Sequence, residues 1–322
     1  MRQYFIHLRR MVACVLLFAA LVGPVRVDAA DAPHQRTKDV IYGRKHGVVL
    51  TMDVFTPTKN ANGLGVMFVI SGGWHSSHQA IDGYFLKFIT KLTRRGYTIF
   101  AVVHGSQPTY TIEQIFEDIK RAVRYIRHHA KEYNVDPDHL GVTGMSAGGH
   151  LSCLIGTAGE PPNAQATNLT DRYSSRVQAV ACFYPPTDFL NYGKPGENAI
   201  GRGTLKDFKA PFDFREPSRP ADGNRGTTLE RITDEERITE LGRRISPITH
   251  VTPDDPPTLI IHGDADKLVP IQQAETLLAK LEEAGVPTKL VVKPGAKHGW
   301  ENTEKDMQTV VDWFDVHLTK KE

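Results

Sequence analysis

Apolar residues recur along this chain with two periods that take turns. From Asp39 to Thr56 they alternate with polar ones around Gly43 and Gly47, which predicts an antiparallel hairpin at a sheet edge. Gly65 to Ile70 reads as a central strand. Ile81 to Arg95 has helical spacing and stops at Gly96, and Tyr97 to Val103 is again a strand. Ile112 to Tyr133 predicts a long helix with Ile112, Ile115, Phe116, Ile119, Val123 and Ile126 on one face, a stripe that reads as core packing rather than a binding groove. Asn134-Val135-Asp136-Pro137 ends it. A short apolar run from Leu140 meets a helix-like stretch beyond Ser146, and Val177 to Phe183 is a further strand. Thr258 to Gly263 is a buried strand ending in a turn, a helix begins near Ile271, and Thr288 to Val292 is another strand. This alternation predicts an α/β fold with a mostly parallel sheet and helices on both faces.

Two stretches stand outside that rhythm. Arg2, His7, Arg9 and Arg10 precede an apolar run from Met11 to Val22, and small residues follow at Val27 to Ala30. That is the layout of a signal peptide over residues 1–30, with a domain over 31–322. The run is short for a membrane span and Gly23-Pro24 interrupts it, so no stable membrane association is expected after cleavage. A secreted or periplasmic location follows. The second stretch, 191–245, is rich in Gly, Pro and alternating charge, with weak apolar periodicity until Leu229 and a short helix over Asp234 to Arg244. Loops of this length are lids or solvated excursions.

Composition narrows the function classes. The 322 residues carry 39 basic and 37 acidic side chains, a formal charge of +2, so nothing points to nucleic acid. The 14 histidines show no zinc-motif spacing, including His75, His78 and the pair His128-His129, and neither metal nor cofactor is implied. Cys153 and Cys182 read as small buried residues; the geometry of a disulfide cannot be read from sequence.

The chemistry concentrates in three segments. Gly144-Met145-Ser146-Ala147-Gly148 lies between a strand and a helix, the setting of a nucleophile elbow. Gly144 and Gly148 remove side chains that would obstruct the turn, and the Ala147 amide points at an oxyanion formed there. A serine needs a base, and the base an orienting carboxylate. His262-Gly263-Asp264-Ala265-Asp266 follows one later strand, and Pro294-Gly295-Ala296-Lys297-His298-Gly299-Trp300 the next. In a parallel sheet such loops emerge at the same edge as Ser146.

On these segments the chain resembles the α/β-hydrolases, most of all the secreted carboxylesterase and acetyl xylan esterase-like group related to the catalytic domain of prolyl oligopeptidases. The resemblance spans roughly Val40 to Leu318. It implies Ser146, Asp266 and His298 as a catalytic triad; Asp264 is the competing acid, read in preference as a turn residue bonding its own backbone. Such esterases often carry His-Gly-Gly-Gly-Trp after an early strand, whereas this chain has Ile70-Ser71-Gly72-Gly73-Trp74. The oxyanion donors are backbone amides, so Gly72 and Gly73 join Ala147 as candidates.

By the same analogy 191–245 is a cap, and its polar character suits a small acyl group on a polar alcohol. Trp74 and Trp300 adjoin the oxyanion loop and His298, where each is a pocket wall or a core aromatic. Asp188, in Tyr184-Pro185-Pro186-Thr187-Asp188, is a pocket residue or, the preferred reading, a helix cap. Asp118 is expected on the charged side of its helix in a structural role. The expected function is a serine esterase for short-chain acyl esters, with acetyl or feruloyl groups on plant polysaccharide as candidates. A small serine peptidase, a formamidase-like amide deacylase and a non-catalytic binding protein are the rivals.

Overall fold

The computed structural model describes residues 32–218, 228–301 and 303–319; the leader expected over 1–30 lies outside them. Strands β1 (His34–Lys45) and β2 (Val48–Pro57) pair antiparallel through His46-Gly47, where φ is +48° and +81°. A two-residue turn of that hand matches the twist of the strands it joins. The chain continues through β3 (Gly65–Ile70), a π turn (Ile81–Phe85), α1 (Leu86–Arg94), β4 (Thr98–Val103), α2 (Ile112–His128), β5 (Leu140–Met145), α3 (Ala147–Ala158) and β6 (Ala179–Phe183). There follow β7 (Arg215–Ser218), β8 (Thr228–Arg231), α4 (Glu235–Arg244), β9 (Thr258–Gly263), α5 (Gln272–Glu283), β10 (Thr288–Lys293) and α6 (Glu304–His317).

The main sheet runs β1-β2-β4-β3-β5-β6-β9-β10, antiparallel at β1–β2 and β2–β4 and parallel beyond. This is the mostly parallel α/β sheet the alternation predicts. From β3 the chain moves to β4 on one side, then crosses back to β5 on the other. That reversal opens a crevice at the carboxyl ends of β3 and β5. Inward residues of the central strands alternate between two cores. Met67, Val69, Phe100 and Val102 pack with α2, α3 and α5, and Val66, Phe68, Ile99 and Ala101 pack with α1 and α6.

Two helices are shorter than their apolar spacing suggests. Ile112 to Tyr133 is helical only to His128, because beyond it the amides of Ala130, Glu132 and Tyr133 turn to carbonyls three residues back. Ile81 to Arg95 starts as the π turn, broken by non-helical Gly83 (φ −94°, ψ −108°), and is α-helical from Leu86. Asp118 is not on a charged face. It is buried, 2.7 Å from Lys45 Nζ, and accepts the Gly105 N–H; burial pushes its pKa up. Cys153 and Cys182 are buried free thiols with Sγ atoms 3.4 Å apart.

The stretch 191–245 is less solvated than its composition implies. Tyr192, Ala199, Ile200, Leu205, Phe212, Phe214, Leu241 and Ile245 are buried in the same apolar cluster as α2 and α3. Their spacing follows neither helix nor strand, so no period advertises them. The β7–β8 ribbon, the outer face of α4 and short turns such as Gly193 to Gly196 are left to water. Phe212 sits against Trp74 and Phe189 at ring separations of 5.4 and 5.2 Å. Phe212→Ala is expected to lower unfolding stability by about 3–5 kcal/mol, the cost of emptying a buried aromatic site. A urea titration checks this; a loss below about 1 kcal/mol would mean the segment is a loose surface excursion.

Candidate active site

Ser146 stands between β5 and α3 with φ +53° and ψ −119°, outside the ordinary regions for a side-chain-bearing residue. The surroundings hold it there. Its amide donates to Phe183 O at 3.0 Å, and its carbonyl accepts the His150 amide at 2.8 Å. A Cβ on Gly144 would run into the Gly148 carbonyl, and one on Gly148 would lie 2.5 Å from Val69 O. The absence of both side chains lets α3 start hard against β3 and β5.

His298, on the loop after β10, places Nε2 2.8 Å from Ser146 Oγ. Its Nδ1 lies 2.7 Å from Asp266 Oδ2, on the loop after β9. The other Asp266 oxygen accepts the amides of Leu268 and Val269, each at 2.9 Å. Burial works against an ionised carboxyl here, but the neighbouring His262 ring and the hydrogen bonds from His298 and the Val269 amide outweigh it and hold the pKa well below the usual carboxylate range. An ionised carboxylate only accepts, so the His298 proton sits on Nδ1 and the Nε2 lone pair faces the serine hydroxyl. His262, fully buried, donates from Nε2 to Val269 O at 2.8 Å, bracing the same loop. Asp264 does not bond its own backbone as expected; it accepts the Gly295 amide at 2.6 Å and so ties the aspartate loop to the histidine loop.

Beside Ser146 lies a cavity of about 330 Å³, walled by Trp74, Tyr84, Phe85, Met145, Tyr184, Leu205, Phe208 and Leu268. Ser71, Gly72, Gly73, Ala147 and His298 also line it. Ala147 begins α3, so its amide has no intrahelical acceptor and opens on the cavity side. The two glycines differ. The Gly72 amide donates to His75 O at 2.9 Å, so it is already engaged, which removes Gly72 from the oxyanion candidates. Gly73, with φ +54°, lies in the turn between Gly72 and His75 but is not a partner in their bonds, and it keeps its place among the candidates with Ala147.

Two expected pocket residues are elsewhere. Trp300 does not line the cavity; its indole donates to Asp306 and its ring packs on Phe183 and Tyr184. Asp188 is buried in a structural role but caps no helix; it accepts the amides of Leu190 and Asn191 and the side chain of Asn191 within its own loop. The segment 191–245 also differs from expectation: what its described residues present to the cavity is apolar, Leu205 and Phe208. Tyr184, at the head of the segment that carries Asp188, is a cavity residue not among the candidates; it directly follows β6 at the sheet edge where the site forms. It has φ +38°, and its ring stands edge-on to His298 at 4.7 Å. Among the described residues one acidic grouping could hold a cation: Asp39, Asp53 and His78. Arg36 already pairs with Asp53, and none of the three lines the cavity.

Gly148→Ala is expected to push α3 away from β3 and cost about 1–3 kcal/mol, measured as a lower urea midpoint. A wild-type midpoint would show that the helix start has room to spare. Two buried imidazoles set a pH window. His104 and His150 are fully buried, and burial pushes each pKa down from 6.5 to about 4. They are neutral in the fold, while the unfolded chain takes up protons below about pH 6.5. Each therefore removes about 1.4 kcal/mol of stability per pH unit as pH falls from about 6.5 to about 4. The depressed Asp266 acts only below its unfolded value near 4, outside this window. Unfolding titrations at pH 7, 5.5 and 4.5 check this, and a flat profile would show that neither ring is buried neutral.

Comparison with known proteins adds the following. Residues 52–281 match the family model described as BD-FAE. The probable carboxylic ester hydrolase LipM of Mycobacterium tuberculosis is 28% identical over 286 residues, covering 87% of this chain and 59% of LipM. Esterase LipC of the same organism is 30% identical over 246 residues, covering 76% of this chain and 54% of LipC. The chain thus spans a little over half the length of these relatives. Among solved structures, a truncated carbohydrate esterase from gut microbiota superimposes with a TM-score of 0.72 at 24% identity, covering 90% of this chain and 99% of that one, a likeness of fold.

Proposed function

The chain belongs to the BD-FAE family, and we propose that it is a serine ester hydrolase for short-chain acyl esters. The observation that carries this is the unbroken chain of contacts from Asp266 through His298 to Ser146 at the wall of the cavity. His298 Nε2 takes the proton from Ser146 Oγ as the oxygen attacks the ester carbonyl. The carbonyl electrons move onto oxygen, and the amides of Ala147 and Gly73 hold that oxyanion. Asp266 keeps the imidazole in the right tautomer and balances its charge while it holds the proton. The oxyanion collapses, the ester C–O bond breaks, and His298 gives its proton to the departing alcohol. Water then repeats the cycle on the acyl-enzyme and releases the acid.

Size and lining support a small acyl group. At about 330 Å³ the cavity is at the low end of the range of about 300–1,000 Å³ typical of small-molecule sites. Its aromatic and aliphatic walls suit the acyl part, and the alcohol part extends outward. Acetyl groups on plant polysaccharide fit that division, with the bulk of the polymer in solvent, whereas a feruloyl group exceeds the octanoyl chain in size. The basic and apolar leader of the sequence supports a secreted or periplasmic site of action.

Initial rates of the mature chain on p-nitrophenyl acetate, butyrate and octanoate test the proposal. Rates are expected to fall at octanoate, and Ser146→Ala to lower kcat by on the order of 10⁴-fold or more with an unchanged melting temperature. Wild-type rates in that variant would overturn the assignment. No turnover of any ester by the folded protein, with turnover of an aminoacyl anilide instead, would move it to amide substrates. Acetate release from acetylated xylan then tests the polysaccharide reading.

A further inference from the structure

Behind the cavity wall runs a second chain of hydrogen bonds that the mechanism above does not use. His150 stands on α3 one turn after Ser146, and its ring is fully buried. Trp74 Nε1 donates to His150 Nδ1 at 3.1 Å, and His150 Nε2 lies 2.7 Å from Ile245 O. An indole nitrogen only donates, so Nδ1 must hold a lone pair and Nε2 the proton, which goes to the Ile245 carbonyl. The bonds thus have one direction, from Trp74 through His150 to Ile245, and a neutral ring satisfies both ends. They join three segments: the loop after β3, the elbow helix, and the residue that closes α4 at the end of 191–245.

Trp74 needs such an anchor. It has φ +60° directly after Gly73 at +54°, and a bulky side chain rarely adopts a left-handed backbone. The amide beside this strained pair is that of Gly73, proposed above to face the oxyanion with Ala147. The Gly73 amide comes from the loop and the Ala147 amide from the helix, and nothing in the elbow itself sets the spacing between them. The bond from the Trp74 ring to the His150 side chain of α3 links the two directly.

We propose that His150 is a positioning residue for the oxyanion loop: by holding the Trp74 indole it registers the Gly73 amide against the Ala147 amide. The inference rests on the ester-hydrolase reading. Its bond to Ile245 secures the end of the 191–245 segment and is the stability half of the same device.

The test compares His150→Leu, which removes both bonds, with His150→Asn, whose side-chain oxygen takes the place of Nδ1 and keeps the Trp74 acceptor. Each is assayed with p-nitrophenyl acetate well below its own melting temperature. His150→Leu is expected to lose about 10- to 100-fold in kcat, the scale of a displaced catalytic group, with KM within about twofold. Inhibition by a trifluoromethyl ketone, whose adduct carries the same oxyanion, is expected to weaken in parallel. His150→Asn is expected to recover kcat to within about threefold of wild type while still melting lower, because only the Ile245 bond is gone. Trp74→Phe breaks the same bond from the other side and stands in if His150→Leu does not fold. Wild-type kcat in His150→Leu, a loss of kcat without weaker ketone inhibition, or an Asn variant as slow as the Leu variant would each overturn the proposal. Ser146→Ala separates the two levels: if it keeps activity the ester-hydrolase reading fails, and if it loses activity while His150→Leu does not, only the positioning role fails.

Discussion

The site depends on one backbone conformation, that of Ser146. At φ +53° and ψ −119° the residue costs on the order of 1–3 kcal/mol, and it persists only because its surroundings leave no alternative. Gly144 and Gly148 provide the clearance, the Phe183 carbonyl takes its amide, and the first turn of α3 takes its carbonyl. The bend lifts the hydroxyl out of the sheet and starts a helix whose first amide faces the same point. A straighter junction would bury the hydroxyl and turn the Ala147 amide away.

The sheet then brings the partners. β9 and β10 run parallel to β5, so the loops that carry Asp266 and His298 leave on the Ser146 edge. Order within those loops comes from backbone bonds. Two amides hold one oxygen of Asp266, His262 braces Val269, and Asp264 reaches across to Gly295. With one oxygen of Asp266 so engaged, the other faces His298, which sets the tautomer without any further group.

The cavity wall has a different origin. Leu205 and Phe208 come from a stretch with no regular period, yet neighbouring residues of that stretch are buried as deeply as the sheet. Trp74 is wall and core at once. One edge faces the cavity, and the rest of the ring lies among His150, Phe189, Phe208 and Phe212. Apolar burial and the small size of the site are therefore aspects of one packing arrangement.

The strands and the parallel order of the sheet were legible in the chain, because strands buried on both faces must be nearly continuous apolar runs between helical stretches. So were Ser146, Asp266 and His298 as the residues that would meet, since loops after parallel strands open on one edge. Helix ends were less legible: α2 stops at His128 although apolar spacing continues, because spacing records which face is buried and not when the hydrogen-bond pattern changes. What only the tertiary structure decided was which particular group each amide and side chain meets. Examples are the Gly72 amide committed to His75, Trp300 drawn to Asp306, Asp188 turned to its own loop, and Leu205 and Phe208 over the cavity. Periodicity reports how a segment meets the core as a whole. Which single amide stays free, and which side chain faces the cavity, is set by packing among residues that share no local pattern.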